Sequence, residues 1–286
     1  MKNNMAASKG KKVKNKVVAM FLNLISVFCA VTCVFPVIWL GYTSLKSNAE
    51  FAANVLALPK NPSMKNFIYV INKTNMPLYL FNTLRITVCV LALTLLAAFT
   101  TGYFLARFRF RFHGFLSGLY ISNLFIPMHA ILVPVYVMMV RFKFVDHWYA
   151  TILPMVCMEM TTSLFLVRSY VETLPVEVEE AASIDGSSFS RTLFQIILPV
   201  VRPILVTIGI MSFFHCWNEF SLSLIAFSKD KLFTMSLAVM RFKGQYLSDY
   251  PQIMATIFIA IVPALVIYIC FSKQIIKGMM AGAIKG

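Results

Sequence analysis

The sequence predicts an all-α integral membrane protein with six transmembrane helices and both termini in the cytoplasm. Three observations predict it: the composition, the spacing of charge-free apolar runs, and the placement of Lys and Arg. Of 286 residues, 59% are hydrophobic and 13% are charged, and mean hydropathy is +0.77. Soluble domains average roughly 45 to 50% apolar and about 25% charged. A hydrocarbon core of about 30 Å takes about 20 apolar residues in a helix, and six runs meet that length.

In chain order, a Lys-rich tail (1–16) precedes a membrane domain (17–286) with spans near 17–45, 79–106, 114–140, 148–167, 203–228 and 250–272. The first apolar run exceeds the 7 to 15 residues of a signal-peptide core, so it reads as a span. The second is free of charge from Ile86 to Ala106. The fourth carries Glu159, which costs about 2.5 to 3.5 kcal/mol near a helix centre and is offset by its apolar neighbours. The fifth runs past Glu219 to Ser228. Between the first two spans, Pro59, Pro62 and Pro77 break a polar connection into an irregular or short-helical lid. The connection 229–249 keeps an apolar middle, Leu232 to Met240, suited to dipping toward the membrane or touching another protein.

Lys and Arg set the orientation, because positive residues stay on the cytoplasmic side. The tail, the connection holding Arg107, Arg109 and Arg111, the loop 168–202 and the C-terminal end together hold 15 of the 26 cations. That places these segments and both termini inside. The net charge of +15 sits at span ends, which suits orientation and anionic lipid and not nucleic acid. All six cysteines (29, 33, 89, 157, 216 and 270) fall inside spans, without the spacing of a zinc site. Neither disulfide nor metal is expected.

The connection 168–202 differs in kind, holding five of the chain's eleven acids. Pro175 suits a first helical turn and the acids after it suit the positive end of a helix, predicting a short helix over 176–184. Ala181 and Ala182 offer a small-residue patch for close approach, and Gly186 supplies the freedom for a sharp turn. A second helix, 189–197, carries Phe189, Leu193, Ile196 and Ile197 at helical spacing until Pro199 ends it and opens the next span. An amphipathic hairpin on the membrane surface would share these features.

The full pattern is narrower. Glu180, Ala181, Ala182, Gly186, then Ile196, Leu198 and Pro199 stand at the spacing of the EAA motif of ABC importer permeases, which the loop resembles, and Asp185 before the glycine resembles the sugar branch. The likeness extends to Ser44, Leu45 and Lys46, to Asn82 and Thr83, to Gly102, Tyr103, Ala106 and Arg107, to Ile126, Pro127, Pro134 and Tyr136, and to Trp217 through Phe220. The ending Gly278, Gly282, Ala283, Lys285, Gly286 resembles that of the smaller maltose-type permease subunit, which implies a chain complete at its C-terminus.

This resemblance implies the type I ABC importer permease fold in a bacterial cell membrane. It implies a second homologous permease subunit, two ATPase subunits that bind ATP and Mg, and an extracytoplasmic solute-binding protein. The loop is then the coupling element: Glu180 the charged contact to the ATPase, Ala181 and Ala182 the close-packed face, Gly186 the turn, and Asp185 the cap of the second helix. No GxxxxGK followed by Ser or Thr occurs, so the chain lacks the phosphate loop of an ATPase; no catalytic residue and no cofactor of its own are expected.

Polar residues inside the spans suggest a solute path. Ser212, His215, Glu219 and Ser223 are spaced by three and four and so share one helical face, with Asn218 beside it; Tyr120 and Asn123 share a face on the third span, and Glu159, Thr162 and Ser163 on the fourth. Such groups face a bundle interior or a wet cavity and suit sugar hydroxyls, with Trp217 or Tyr120 as an aromatic surface. Interhelical hydrogen bonding would use the same residues. Other solutes, such as glycerol phosphate, remain open, as does an ion-coupled secondary carrier, although the latter calls for broken spans and repeated halves. Glu159, His215 and Glu219 are too scattered to specify an enzyme.

Overall fold

The computed structural model describes residues 2–245 and 249–283, and every regular element among them is a helix. In chain order these are α1 (Lys2–Thr43), α2 (Asn48–Ala53), α3 (Lys65–Lys73), α4 (Met76–Arg107), α5 (His113–Asn123), α6 (Met128–Arg141), α7 (Ile152–Val171), α8 (Glu177–Ile184), α9 (Phe189–Arg191), α10 (Leu198–Trp217), α11 (Ser221–Ala226), α12 (Met235–Gln245) and α13 (Tyr250–Ala283). A π-helical turn, Thr192–Ile197, joins α9 to α10, and a 3-10 turn, Asp230–Leu232, precedes α12. Lys285 and Gly286 of the C-terminal pattern lie outside the described residues.

Among the described residues, five helical stretches are long and apolar enough to cross a bilayer: Val18–Thr43, Met76–Arg107, Ile152–Val171, Phe189–Trp217 and Tyr250–Gln274. The expected single helix over 114–140 is not one helix. It is α5 and α6, bent by 108°, so the spans number five, or six where this bent pair is counted as one broken span. Pro127 caps α6 with ψ 129°; it lacks an N–H and pushes Ile126 out of the helical region, which is enough to break the run.

Two further expectations are corrected. Pro199 does not end a helix, because Phe189–Trp217 runs through it. The π turn just before it carries a bond from Leu198 N–H to the Leu193 carbonyl, and this wider register removes the α-type bond that proline would have broken. The fifth span stops at Trp217 instead of reaching Ser228; Asn218 caps it and α11 starts afresh at Ser221.

The chain forms two compact units. In the first, Met1–Lys73 with Tyr246–Ile259, the turn after α1 is tied into the lid: Lys46 is buried, with Nζ donating to the carbonyls of Asn54 (3.1 Å) and Val55 (2.9 Å). Asn66 Nδ2 donates to the Ser44 and Lys46 carbonyls, each at 2.8 Å. Ser47 and Glu50 form a capping box at the start of α2, which satisfies two amide donors a short helix would leave unpaired.

In the second unit, Thr74–Gln245 with Ala260–Gly286, the core lies among α4, α7 and α10, with Val90, Phe99, Leu164, Val167, Val201 and Ile208 buried. Apolar burial gains little between helices that lipid solvates equally well, so close packing by small residues carries more weight. A Cβ at Gly102 would stand 2.8 Å from Val167 Cγ1 and 3.2 Å from the Leu164 carbonyl oxygen, so glycine lets α4 and α7 approach there. The segment 231–235 folds onto the start of α4: Asn82 Nδ2 donates to the carbonyls of Lys231 (2.9 Å) and Phe233 (3.0 Å), and Met235 N–H to Thr83 Oγ1 (2.9 Å).

Candidate functional site

The loop between α7 and α10 is built from short local bonds. Glu177, Glu179 and Glu180 occupy the first turn of α8, where the helix dipole favours carboxylates. At its end Gly186 has φ +75°. Its N–H donates to the Ser183 carbonyl (3.1 Å) and the Ser187 N–H to the Ala182 carbonyl (2.9 Å), a reversal that satisfies two terminal carbonyls and needs a left-handed residue. Nothing lies within 4 Å of where a Gly186 Cβ would sit, so the demand is on the backbone and not on space. Asp185 does not cap the second helix. It is the C-cap of α8, and Ser188 caps α9, with Oγ accepting from Arg191 N–H at 3.4 Å.

The outer face of the loop presents Glu180, Ala181, Asp185 and Ile184, the last 86% exposed. Ala182 is buried against the chain itself, so of the two alanines only Ala181 is open to another surface. Ile196 and Leu198 are half-buried and Pro199 is exposed, while Leu193 and Ile197 make the inward contact. Sequence reasoning missed Glu179. Its Oε1 accepts from Arg107 Nε and its Oε2 from Tyr103 Oη, both at 2.6 Å, and Arg107 Nη2 also donates to the Leu174 carbonyl at 2.9 Å. The available signal was Tyr103 and Arg107 one turn apart on one helix face.

The second constellation lines a cavity of about 240 Å³ between the α5–α6 break, α7 and the end of α10. Its polar lining is Asn123, Glu159, His215 and Glu219, its apolar lining includes Met128, Met155 and Met158, and it has no Lys or Arg. A smaller space of about 90 Å³ shares Met158, Glu159 and His215 and adds Thr162, Ser163 and Ser212. Glu159 joins the helices: Oε2 accepts from Ser212 Oγ at 2.6 Å and Oε1 pairs with His215 Nδ1 at 3.0 Å. With Nδ1 turned to a carboxylate, Nε2 is the imidazole nitrogen left for a ligand, an acceptor in the neutral ring. The His215 side chain is 66% exposed.

The other expected path residues are placed differently. Because α10 stops at Trp217, the face 212–223 is not continuous. The Glu219 carboxylate accepts from Leu222 N–H (2.5 Å), Ser223 N–H (3.0 Å) and Ser223 Oγ (2.8 Å), which caps α11 and leaves Ser223 buried. Asn218 donates back to the Phe214 carbonyl at 2.9 Å. Asn123 Nδ2 donates to Thr161 Oγ1 at 2.7 Å. Trp217 is no sugar platform: it is buried, stacked on Phe213 at 5.4 Å, and donates to the Ala260 carbonyl. Tyr120 packs half-buried against the core and is not part of the cavity wall.

Residues 98–273 match the family model of binding-protein-dependent transport system inner membrane components. A putative ABC transporter permease protein of a Caldicellulosiruptor species is 35% identical over 88% of this chain and 91% of its own length. A sulfoquinovosyl glycerol transport system permease protein of Agrobacterium fabrum is 30% identical over 88% of this chain and 89% of its own. A chain of a crystallised bacterial ABC transporter involved in importing the acidic polysaccharide alginate superposes with TM-score 0.81 at 18% identity, covering 91% of this chain and 97% of that one. That likeness is one of fold.

Proposed function

The chain belongs to the inner-membrane components of binding-protein-dependent transport systems, and from that premise we propose that it forms one half of the pathway of an ATP-driven sugar importer. A second, homologous permease subunit supplies the other half. Two ATPase subunits beneath them bind ATP and Mg, and an extracytoplasmic binding protein delivers the solute. The loop 168–202 and both termini face the cytoplasm, with the Lys-rich tail against anionic lipid.

The observation that carries this reading is the outer face of α8. Glu180, Ala181 and Ile184 are exposed together on a helix that Gly186 closes in a fixed geometry. An isolated eight-residue helix is marginal in water, so a helix held by its closed C-terminal turn and by Glu179, with an apolar residue outward, suits a docking cleft on an ATPase. Closure of the ATPase pair on ATP then moves the spans.

On the solute side, this chain offers two carboxylates, one amide and one imidazole, and no cationic side chain. That set suits neutral hydroxyls better than a carboxylated, sulfonated or phosphorylated solute, and it favours a neutral saccharide over glycerol phosphate. The test is to co-purify the chain with its co-expressed neighbours, reconstitute the complex in proteoliposomes, and measure ATP-dependent uptake of neutral oligosaccharides, uronate oligomers, glycerol phosphate and amino acids. Uptake of a neutral oligosaccharide is expected. Uptake restricted to amino acids or glycerol phosphate would overturn the sugar reading.

A further inference from the structure

We propose that Arg107, Glu179 and Tyr103 form a latch through which the loop 168–202 drives the α4–α7 pair, with Glu179 a positioning residue for coupling and not a contact to the ATPase. The proposal rests on the ATP-driven reading above.

Glu179 is the one acid of the α8 first turn that faces inward. Glu177 and Glu180 are exposed, while the side chains of Arg107 and Glu179 are only 11% and 16% exposed. The carboxylate is held at both oxygens by groups from the last two turns of α4, each at 2.6 Å. Charge-assisted bonds of that length in a partly dry setting are strong and directional. The guanidinium has a further bond to the Leu174 carbonyl, in the turn that follows α7, so one side chain ties the end of α4 to both the start of the loop and α8.

The second half of the loop reaches the same seat by a different chemistry. Phe189 at the start of α9 lies against the rings of Tyr103, Phe104 and Phe108, with centroids 6.2, 5.7 and 6.1 Å away. Both sides of the Gly186 turn therefore bear on the end of α4. One turn from the latch, Gly102 brings α4 against Val167 of α7. Val167 stands eight residues beyond Glu159, about 12 Å along the helix at 1.5 Å per residue. A displacement of α8 is thus delivered to two helices in close contact, one of which, α7, carries Glu159, the partner of His215 on α10 in the cavity.

A merely structural role would lower every activity in proportion to the amount of folded complex; a coupling role changes a ratio. The experiment uses the reconstituted complex with Glu179→Gln, Arg107→Gln, the double variant, and Tyr103→Phe, which removes one hydrogen bond and keeps the ring cluster. For each, ATP hydrolysis with and without liganded binding protein, and uptake, are normalised to assembled complex. Coupling free energies between sites typically correspond to 5- to 150-fold. The expected result is a fall of about tenfold in the stimulated-to-basal ratio for Glu179→Gln, a smaller fall for Tyr103→Phe, and no further fall in the double variant, since residues of one network are not additive.

If Arg107→Gln fails to assemble, Glu179→Gln and Tyr103→Phe still decide the matter. A stimulated-to-basal ratio within twofold of wild type in both, or independent additive losses in the pair, overturns the latch. Failure of the latch alone leaves stimulated hydrolysis and uptake intact in the unsubstituted complex, whereas failure of the importer reading removes them there too.

Discussion

The loop 168–202 and the Glu159–His215 cavity are both polar features in an apolar chain, but they are held in opposite ways. The loop's own turns are closed by bonds between residues three to five apart, Gly186 to Ser183, Ser187 to Ala182 and Arg191 to Ser188, and the loop is seated on α4 through Glu179. The cavity is closed by bonds that span more than 35 residues, Glu159 to Ser212 and His215 and Asn123 to Thr161. Local bonds survive displacement of the whole element, which suits a part that moves as a unit. Long-range bonds change whenever helices shift, which suits the solute site proposed for this cavity.

The contrast is tested most severely at its two glycines. Gly102→Val adds atoms where a Cβ alone would already stand 2.8 Å from Val167; overpacking costs about 1 to 3 kcal/mol, and lower yield and thermal stability of the assembled complex are expected. Gly186→Val meets no neighbour, but a branched side chain in the left-handed region costs about 1 to 2 kcal/mol. It is expected to spare assembly and reduce stimulated ATP hydrolysis. Gly186→Asn should restore most of that stimulation, because Asn tolerates this conformation. If Asn fails as badly as Val, the requirement at 186 is spatial and set by a partner.

A middle-sized effect is expected in the cavity. Glu159→Gln keeps the shape but weakens the hold on Ser212 and His215; loss of a charged hydrogen bond is worth about 1.5 to 3 kcal/mol, and an altered uptake KM with unchanged complex yield is the expected sign. Trp217→Phe should do the reverse, lowering yield through the lost bond to Ala260 with KM unmoved. Equal effects of both on yield would make the cavity groups packing residues. The smallest effect separates two candidate caps: Ser188→Ala is expected to cost about 1 kcal/mol of local helix stability, read as faster amide exchange across 189–193, while Asp185→Ala leaves that exchange unchanged.

What was legible in the sequence follows the same division. The loop could be placed from Pro175, the acids, Gly186 and the apolar stripe because helix caps and turns are properties of adjacent residues. Ser188 was overlooked in favour of Asp185 because both are good capping types, and only the backbone at Ser188, extended before α9, distinguishes them. The apolar runs revealed the spans, yet mean hydropathy is blind to a break, so the bend at Pro127 and the stop at Trp217 were not read. Missing that stop produced the false face through Glu219 and Ser223. Glu159 and His215 were selected as ionisable groups in a membrane, but their pairing needed two helices to meet. Glu179 was hidden by its neighbour, since only the α8 rotation separates an inward carboxylate from the outward Glu180.

The central claim, that the exposed tip of the loop docks on an ATPase, is tested most directly by a photo-crosslinking residue at Ile184 in the assembled complex, with Phe125, 81% exposed at the α5–α6 break, as the comparison. Illumination is predicted to join position 184 to the ATPase subunit, and position 125 to give no ATPase adduct. An ATPase adduct at 125 and none at 184 would contradict the account.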